Sequence, residues 1–129
     1  MVGSWQELLG LKDDIVLKCA TGFGGGIGAR GSLCGIISGS VMVIGMKKGR
    51  GRQDDLSVSL DAYLRCARLM DWFDAEFGSQ MCSALTGGVD FRDPEQLSQW
   101  YQSGHKKCVE MAGKTAAKLA ELLEFAAPL

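Results

Sequence analysis

Residues 33–46 read LCGIISGSVMVIGM. These fourteen residues carry no charge and are apolar nearly all round. A membrane-spanning helix needs about twenty consecutive apolar residues. The stretch therefore reads as a buried helix, about 33–47, at the centre of a helical bundle. Ser32 stands where an N-cap belongs. Gly31, Gly35 and Gly39 recur every four residues, with Cys34 and Ser38 beside them. They predict a smooth stripe that another helix backbone could approach closely.

Upstream the chain reads CATGFGGGIGARG over 19–31. Glycine loses more freedom on folding than any other residue, so such a cluster implies a backbone that side chains would obstruct. Three uses fit: a phosphate cradle, a turn aiming the thiols of Cys19 and Cys34 at one point, or close packing. Gly26-x-Gly28-x-x-Gly31 matches the dinucleotide pattern, which requires a strand before it and an acid about twenty residues on. Here a helix pattern precedes it, opened by Asp13 and Asp14 and carried by Ile15, Val16, Cys19 and Ala20 to near Gly22. Asp54 lies near the required distance but no parallel sheet is expected, and no GK[ST] follows. A nucleotide is disfavoured, and residues 22–31 read as a tight inter-helix loop.

Downstream, KKGRGRQ (47–53) reads as a solvated loop. Asp54 or Asp55 can cap a helix over about 55–77. Its apolar stripe is Leu56, Leu60, Tyr63, Leu64, Ala67, Met70, Phe73 and Phe77, in steps of three and four. Gly78 ends it. A short helix carries Met81, Cys82 and Leu85 before Thr86-Gly87-Gly88. Asp93-Pro94-Glu95 opens another, with Leu97, Trp100 and Tyr101 on its apolar side. The last helix, about 104–126, aligns Cys108, Ala112, Thr115, Ala116, Leu119, Leu122, Leu123 and Ala126, with Pro128 beyond its end. No strand pattern stands out. The fold class is all-α, one domain over 1–129, a bundle of about four to six helices with a glycine-rich inter-helix loop.

The 14 basic and 15 acidic residues nearly cancel. Nothing in that balance calls for nucleic acid or an anionic membrane as partner. The first fifteen residues include Glu7, Lys12, Asp13 and Asp14 and lack the apolar core of a signal peptide. A cytoplasmic protein is expected. Its five cysteines are odd in number, which in this setting disfavours a disulfide framework.

Cys19, Cys34, Cys66, Cys82 and Cys108 form no CxxC, so a zinc ribbon or thioredoxin-like motif is unsupported, and no CxxCH marks covalent haem attachment. Widely spaced cysteines can still converge between facing helices. They can equally be small buried apolar side chains. His105 precedes Cys108 by three and shares its helix face. It is either a further ligand, a neighbour stabilising a thiolate, or a surface residue. Cys66, beside Arg65 and one step off the apolar stripe, reads as structural or partly exposed. Asp71, Asp74 and Glu76 read as solvated carboxylates. A Cys108–His105 nucleophilic pair stays open, because that contact is geometric and not sequential.

The stretch ATGFGGGIGARGSLCGIISGSVMVIGMKKG (20–49) resembles the central signature of the redox-active protein family C_GCAxxG_C_C. Phe73-x-x-x-Phe77-Gly78-Ser79, Cys82, Leu85-Thr86-Gly87 and Cys108 follow in the family's order. The family's first cysteine sits in an N-terminal helix, in an N-C-A context. Here no cysteine precedes Cys19, and the domain is short at that end relative to the pattern. A related domain of split-Soret-type cytochromes is associated with an iron–sulfur site. The resemblance implies Cys34, Cys82 and Cys108 as redox or metal-ligating residues, with Cys19 or His105 as fourth ligand. Gly24, Gly25, Gly26 and Gly35 are then the backbone lining the site.

Three functions follow as expectations. The first is electron transfer or sensing through an iron–sulfur cluster or another thiophilic metal. The second is metal-free thiol–disulfide chemistry. The third is a non-catalytic interaction module, its apolar content and three tryptophans serving an oligomer interface. A homodimer suits all three. Whether the protein is an enzyme, and which redox partner it meets, is left open by these residues.

Overall fold

The computed structural model describes residues 1–11 and 13–124. Among them the regular elements are helices: α1 (Val2–Leu8), α2 (Asp14–Ala20), a 3-10 turn (Thr21–Phe23), α3 (Gly35–Lys48), α4 (Ser57–Phe77), α5 (Cys82–Thr86), α6 (Pro94–Gln99), a π turn (Trp100–Gly104) and α7 (His105–Leu122). The all-α reading holds. The π turn fuses α6 and α7 into one helical run, where the sequence suggested two separate helices. Ala126 and Pro128, assigned from sequence to the end of the last helix, lie outside the described residues. No helix among those described is long and apolar enough to cross a membrane.

The α3 segment is central, as its uniform apolarity requires. It packs on α4, α1, α7 and the 3-10 turn. Lys47 Nζ donates to the carbonyl of Leu123, so α3 and α7 finish together. In the other direction, Arg65 of α4 donates to the carbonyl of Leu122, and Glu76 lies 3.7 Å from Lys114. Helix α4 thus runs antiparallel to both. The core divides into two clusters along α3. One joins Trp5, Val43, Ile44, Leu69, Leu119, Leu122 and Leu123. The other, at the N-terminal end of α3, joins Cys34, Ile37, Phe73, Leu85 and Met111.

Helix α4 departs from its predicted face. Leu69 and Phe73 are fully buried, whereas Leu56, Leu60, Tyr63 and Leu64 are 60–69% exposed. The reason is length. At about 1.5 Å per residue, the 21 residues of α4 outrun the 14 of α3. Everything before Arg65 lies past the end of α7. Similarly α2 buries no residue, although its spacing is helical and Asp13 caps it by accepting from the Ile15 N–H at 2.9 Å.

Two caps also differ. The N-cap of α3 is Cys34, not Ser32. Ser32 is held in an extended pairing in which Leu33 and Met81 form an antiparallel bridge. The Cys34 N–H donates to the Gln80 carbonyl at 2.8 Å and the Cys82 N–H to the Ser32 carbonyl at 2.7 Å. Leu56 takes the N-cap position of α4, while Asp55 accepts from the Ser57 N–H at 2.8 Å.

The smooth stripe on α3 is real but meets three different elements. A Cβ at Gly31 would lie 3.1 Å from the side chain of Ser83, one at Gly35 3.2 Å from the Phe23 carbonyl, and one at Gly39 3.5 Å from Met1 and Val2 of α1. No single helix lies along it.

Candidate functional site

The glycine loop is built on a left-handed turn. Five consecutive residues, Gly25 to Ala29, have φ between +59° and +79°. L-residues avoid this region at a cost of roughly 1–2 kcal/mol each, and Ile27 and Ala29 adopt it nonetheless. The turn closes on itself. Amides from Ile27 to Ser32 donate to carbonyls of residues 22–27, including Gly28 to Gly22 at 2.8 Å and Ser32 to Gly26 at 2.9 Å. These amides are therefore occupied within the loop.

What the turn does is bring backbone against a cysteine. A Cβ on Gly26 would sit 2.7 Å from the Cβ of Cys82 and 2.5 Å from the amide nitrogen of Ser32. Residues 32, 34, 80 and 82 lie on one face of the Leu33–Met81 bridge, because strand side chains alternate. Cys34 and Cys82 therefore project to the same side. Both are buried, and Cys108 on α7 packs partly buried against the cluster that contains Cys34.

The three cysteines line a single cavity of about 400 Å³ with Gly24, Gly25, Gly26 and Gly35. The other walls are mostly hydrocarbon, among them Ile36, Phe91, Leu97 and Trp100. Cys19 is exposed on α2 and does not line it. His105 does not line it either. Its imidazole stacks edge-on against Trp100 at 6.1 Å, and its Nδ1 is buried without a partner. Cys66 packs against the other core cluster, away from the cavity.

Burial pushes the Cys34 thiol above its ordinary pKa. The amides of Ile36 and Ile37 at the start of α3 pull the other way, and the charge of Cys108 adds to the rise. For Cys82 burial again dominates, followed by the charges of Cys34 and Cys108. Charge on Cys108 thus opposes ionisation of both Cys34 and Cys82. In metal-free protein Cys34 and Cys82 are neutral thiols at pH 7.

A linkage effect follows for the metal-free protein. Thiols with a raised folded pKa leave stability untouched below the unfolded thiol value of about 8.5. Above it the unfolded chain releases protons first, so stability falls as pH rises. Urea midpoints between pH 7.5 and 9.5 should fall more steeply in wild type than in Cys82→Ala. Equal slopes would show that Cys82 titrates normally.

Among the described residues, no three His, Cys, Asp or Glu side chains are already disposed as the ligands of a metal ion. The fit of the site to a metal is therefore one of donor chemistry. It offers three soft sulfur donors in one largely apolar cavity, without a preformed coordination shell.

Sequence reasoning missed the wall formed by Trp100 and the π turn. In that turn the His105 N–H donates to the Trp100 carbonyl, five residues back. The signal was the spacing Trp100-x-x-x-Gly104. The indole lies across Gly104, where a Cβ would come within 2.8 Å of it.

No curated protein and no solved structure matches the chain. A family model described as "putative redox-active protein (C_GCAxxG_C_C)" matches residues 1–122. The match covers nearly the whole sequence, and this chain belongs to the C_GCAxxG_C_C family.

Proposed function

We propose that Cys34, Cys82 and Cys108 hold an iron–sulfur cluster, or another thiophilic metal centre, that transfers or senses electrons. The observation that carries this reading is the shared cavity. Three cysteines separated by 48 and 26 residues (34 to 82, 82 to 108) line the same space of about 400 Å³. Burial and neighbouring charge oppose ionisation of Cys34 and Cys82, and a bound cation would supply the positive charge that favours their thiolates. Iron–sulfur clusters take thiolate ligands, and a lone ion would leave most of this space unfilled.

No fourth Cys, His, Asp or Glu is among the described residues that line the cavity. Cys19 and His105 lie elsewhere, so in this reading the centre has three protein thiolates and one position open to an exogenous ligand. An open position is what a reactive centre needs, whereas a purely structural site is closed. The metal-free alternative uses the same sulfurs but requires a thiolate nucleophile near neutral pH. Burial and mutual charge work against that at Cys34 and Cys82.

Anaerobic preparation with iron and sulfide should give a coloured protein with bound iron. Cys34→Ala, Cys82→Ala and Cys108→Ala should each lose most of that iron, while Cys19→Ala and Cys66→Ala keep it. Colourless wild-type protein after reconstitution overturns the metal reading. A disulfide between two of the three cysteines after mild oxidation, found by mass spectrometry in such protein, would favour the dithiol reading. If the triple alanine variant keeps every binding and redox property, the interaction-module reading stands instead.

A further inference from the structure

Beside the thiol cavity lies a second one, of about 600 Å³, and Thr86, Trp100 and Cys108 belong to the walls of both. Its volume falls in the range of small-molecule sites, roughly 300–1,000 Å³. Its character is different from that of the thiol cavity. Gln96, Gln99, Ser103 and Lys107 line it, and among its described lining residues there is no Asp or Glu. On a chain whose acids and bases nearly balance, this concavity therefore carries a single positive charge in its wall.

One charged donor there is available to a ligand. Lys107 Nζ donates to the Leu85 carbonyl at 3.0 Å, which anchors the ammonium at the cavity and uses one of its three donor hydrogens. The five ion pairs formed among the described residues do not include it. Trp100 Nε1 is buried and has no acceptor. With essentially no accessible surface, that nitrogen is not presented to a ligand, and the indole serves the cavity as an apolar wall. Gln96 and Ser103 are already engaged. The Gln96 amide accepts from the Asp90 N–H and donates to Asp93, and Ser103 Oγ donates to the Gln99 carbonyl. The indole belongs to the π turn, a distortion found mostly at functional positions.

We propose that this second cavity binds a small molecule bearing a carboxylate or phosphate, with its oxyanion on Lys107 and its body against the Trp100 ring and Cys108. As the substrate position of the thiol centre it rests on the function proposed above. As a binding site it does not depend on any metal.

The experiment titrates ¹⁵N-labelled protein, metal-free and then metal-loaded without air, with citrate, inorganic phosphate and, as a neutral control, glycerol. The Trp100 indole resonance is assigned with Trp100→Phe, which keeps an aromatic ring against Phe91. At least one anion should shift that resonance saturably, and glycerol should not. Lys107→Gln, an exposed position, should weaken binding by about tenfold, in line with the loss of a charge-assisted hydrogen bond. Lys107→Arg should stay within about threefold, because the charge is kept. Lys114→Gln, outside the cavity, should change nothing. The proposal is overturned if neither anion moves the Trp100 indole, or if Lys107→Gln binds as tightly as wild type. Anion binding without iron uptake would overturn only the metal reading. Iron uptake without anion binding would overturn only this one.

Discussion

Gly26→Ala should destabilise the protein by about 2–5 kcal/mol, adding left-handed backbone strain to the overpacking of a closed contact. The new Cβ would be 2.5 Å from the Ser32 nitrogen and 2.7 Å from the Cys82 Cβ, and φ at this position is +79°. Neither neighbour is a flexible side-chain tip. Ser32 is fixed because its carbonyl accepts from the Cys82 N–H and its own N–H donates to Gly26. The chain can only separate the loop from the bridge, which opens the thiol cavity at one wall. Small domains have about 5–15 kcal/mol of total stability, so this one methyl group removes a large share. Gly28→Ala isolates the contact from the strain. Its φ is +61° but nothing lies within 4 Å of the added atom, so the loss should be about 1–2 kcal/mol. Urea unfolding of both variants checks the pair. Equal losses would mean that Gly26 does not press against Cys82.

Phe73→Ala should cost about 3–5 kcal/mol, the usual range for removing a buried aromatic side chain. Phe73 is fully buried, stands edge-on to Phe77 at 4.7 Å and to Trp72 at 6.5 Å, and shares a cluster with Cys34, Ile37, Leu85 and Met111. The cavity left behind would lie beside the thiols, so under the proposed metal binding iron retention should fall along with stability. Leu60→Ala is the informative partner. It occupies the same sequence-derived stripe but is 60% exposed, and a surface change of this kind stays within about 0.5 kcal/mol. Thermal and urea denaturation measure both. A large loss for Leu60→Ala would show that the first turns of α4 are covered in solution.

The Phe73 and Leu60 pair shows where sequence periodicity stops. Steps of three and four define which residues share a helix side, but not how far the neighbouring helices extend along it. The pattern located α4 and its C-terminal stop at Gly78, which is left-handed at φ +82°. It could not reveal that α3 and α7 end near Arg65. Likewise Asp13 and Asp93 were legible as caps because capping is local, and each accepts from the amide two residues on. Ser32 misled because its partner, Cys82, is fifty residues away in the chain.

By itself the sequence determined an all-α chain with α3 at its centre, the loop that precedes it, and a family signature carried by the cysteines and glycines. Those follow from local rules: apolar pattern, backbone freedom, caps and motif order. Only the tertiary structure decided that Cys34, Cys82 and Cys108 line one cavity while Cys19 and His105 do not. It also decided that a tryptophan on a π turn divides that cavity from a second, positively charged one. The physical reason is that convergence depends on how helices pack and on a backbone bridge between residues 33 and 81. Both are long-range arrangements, fixed by close packing across the whole bundle, that spacing along the chain does not encode.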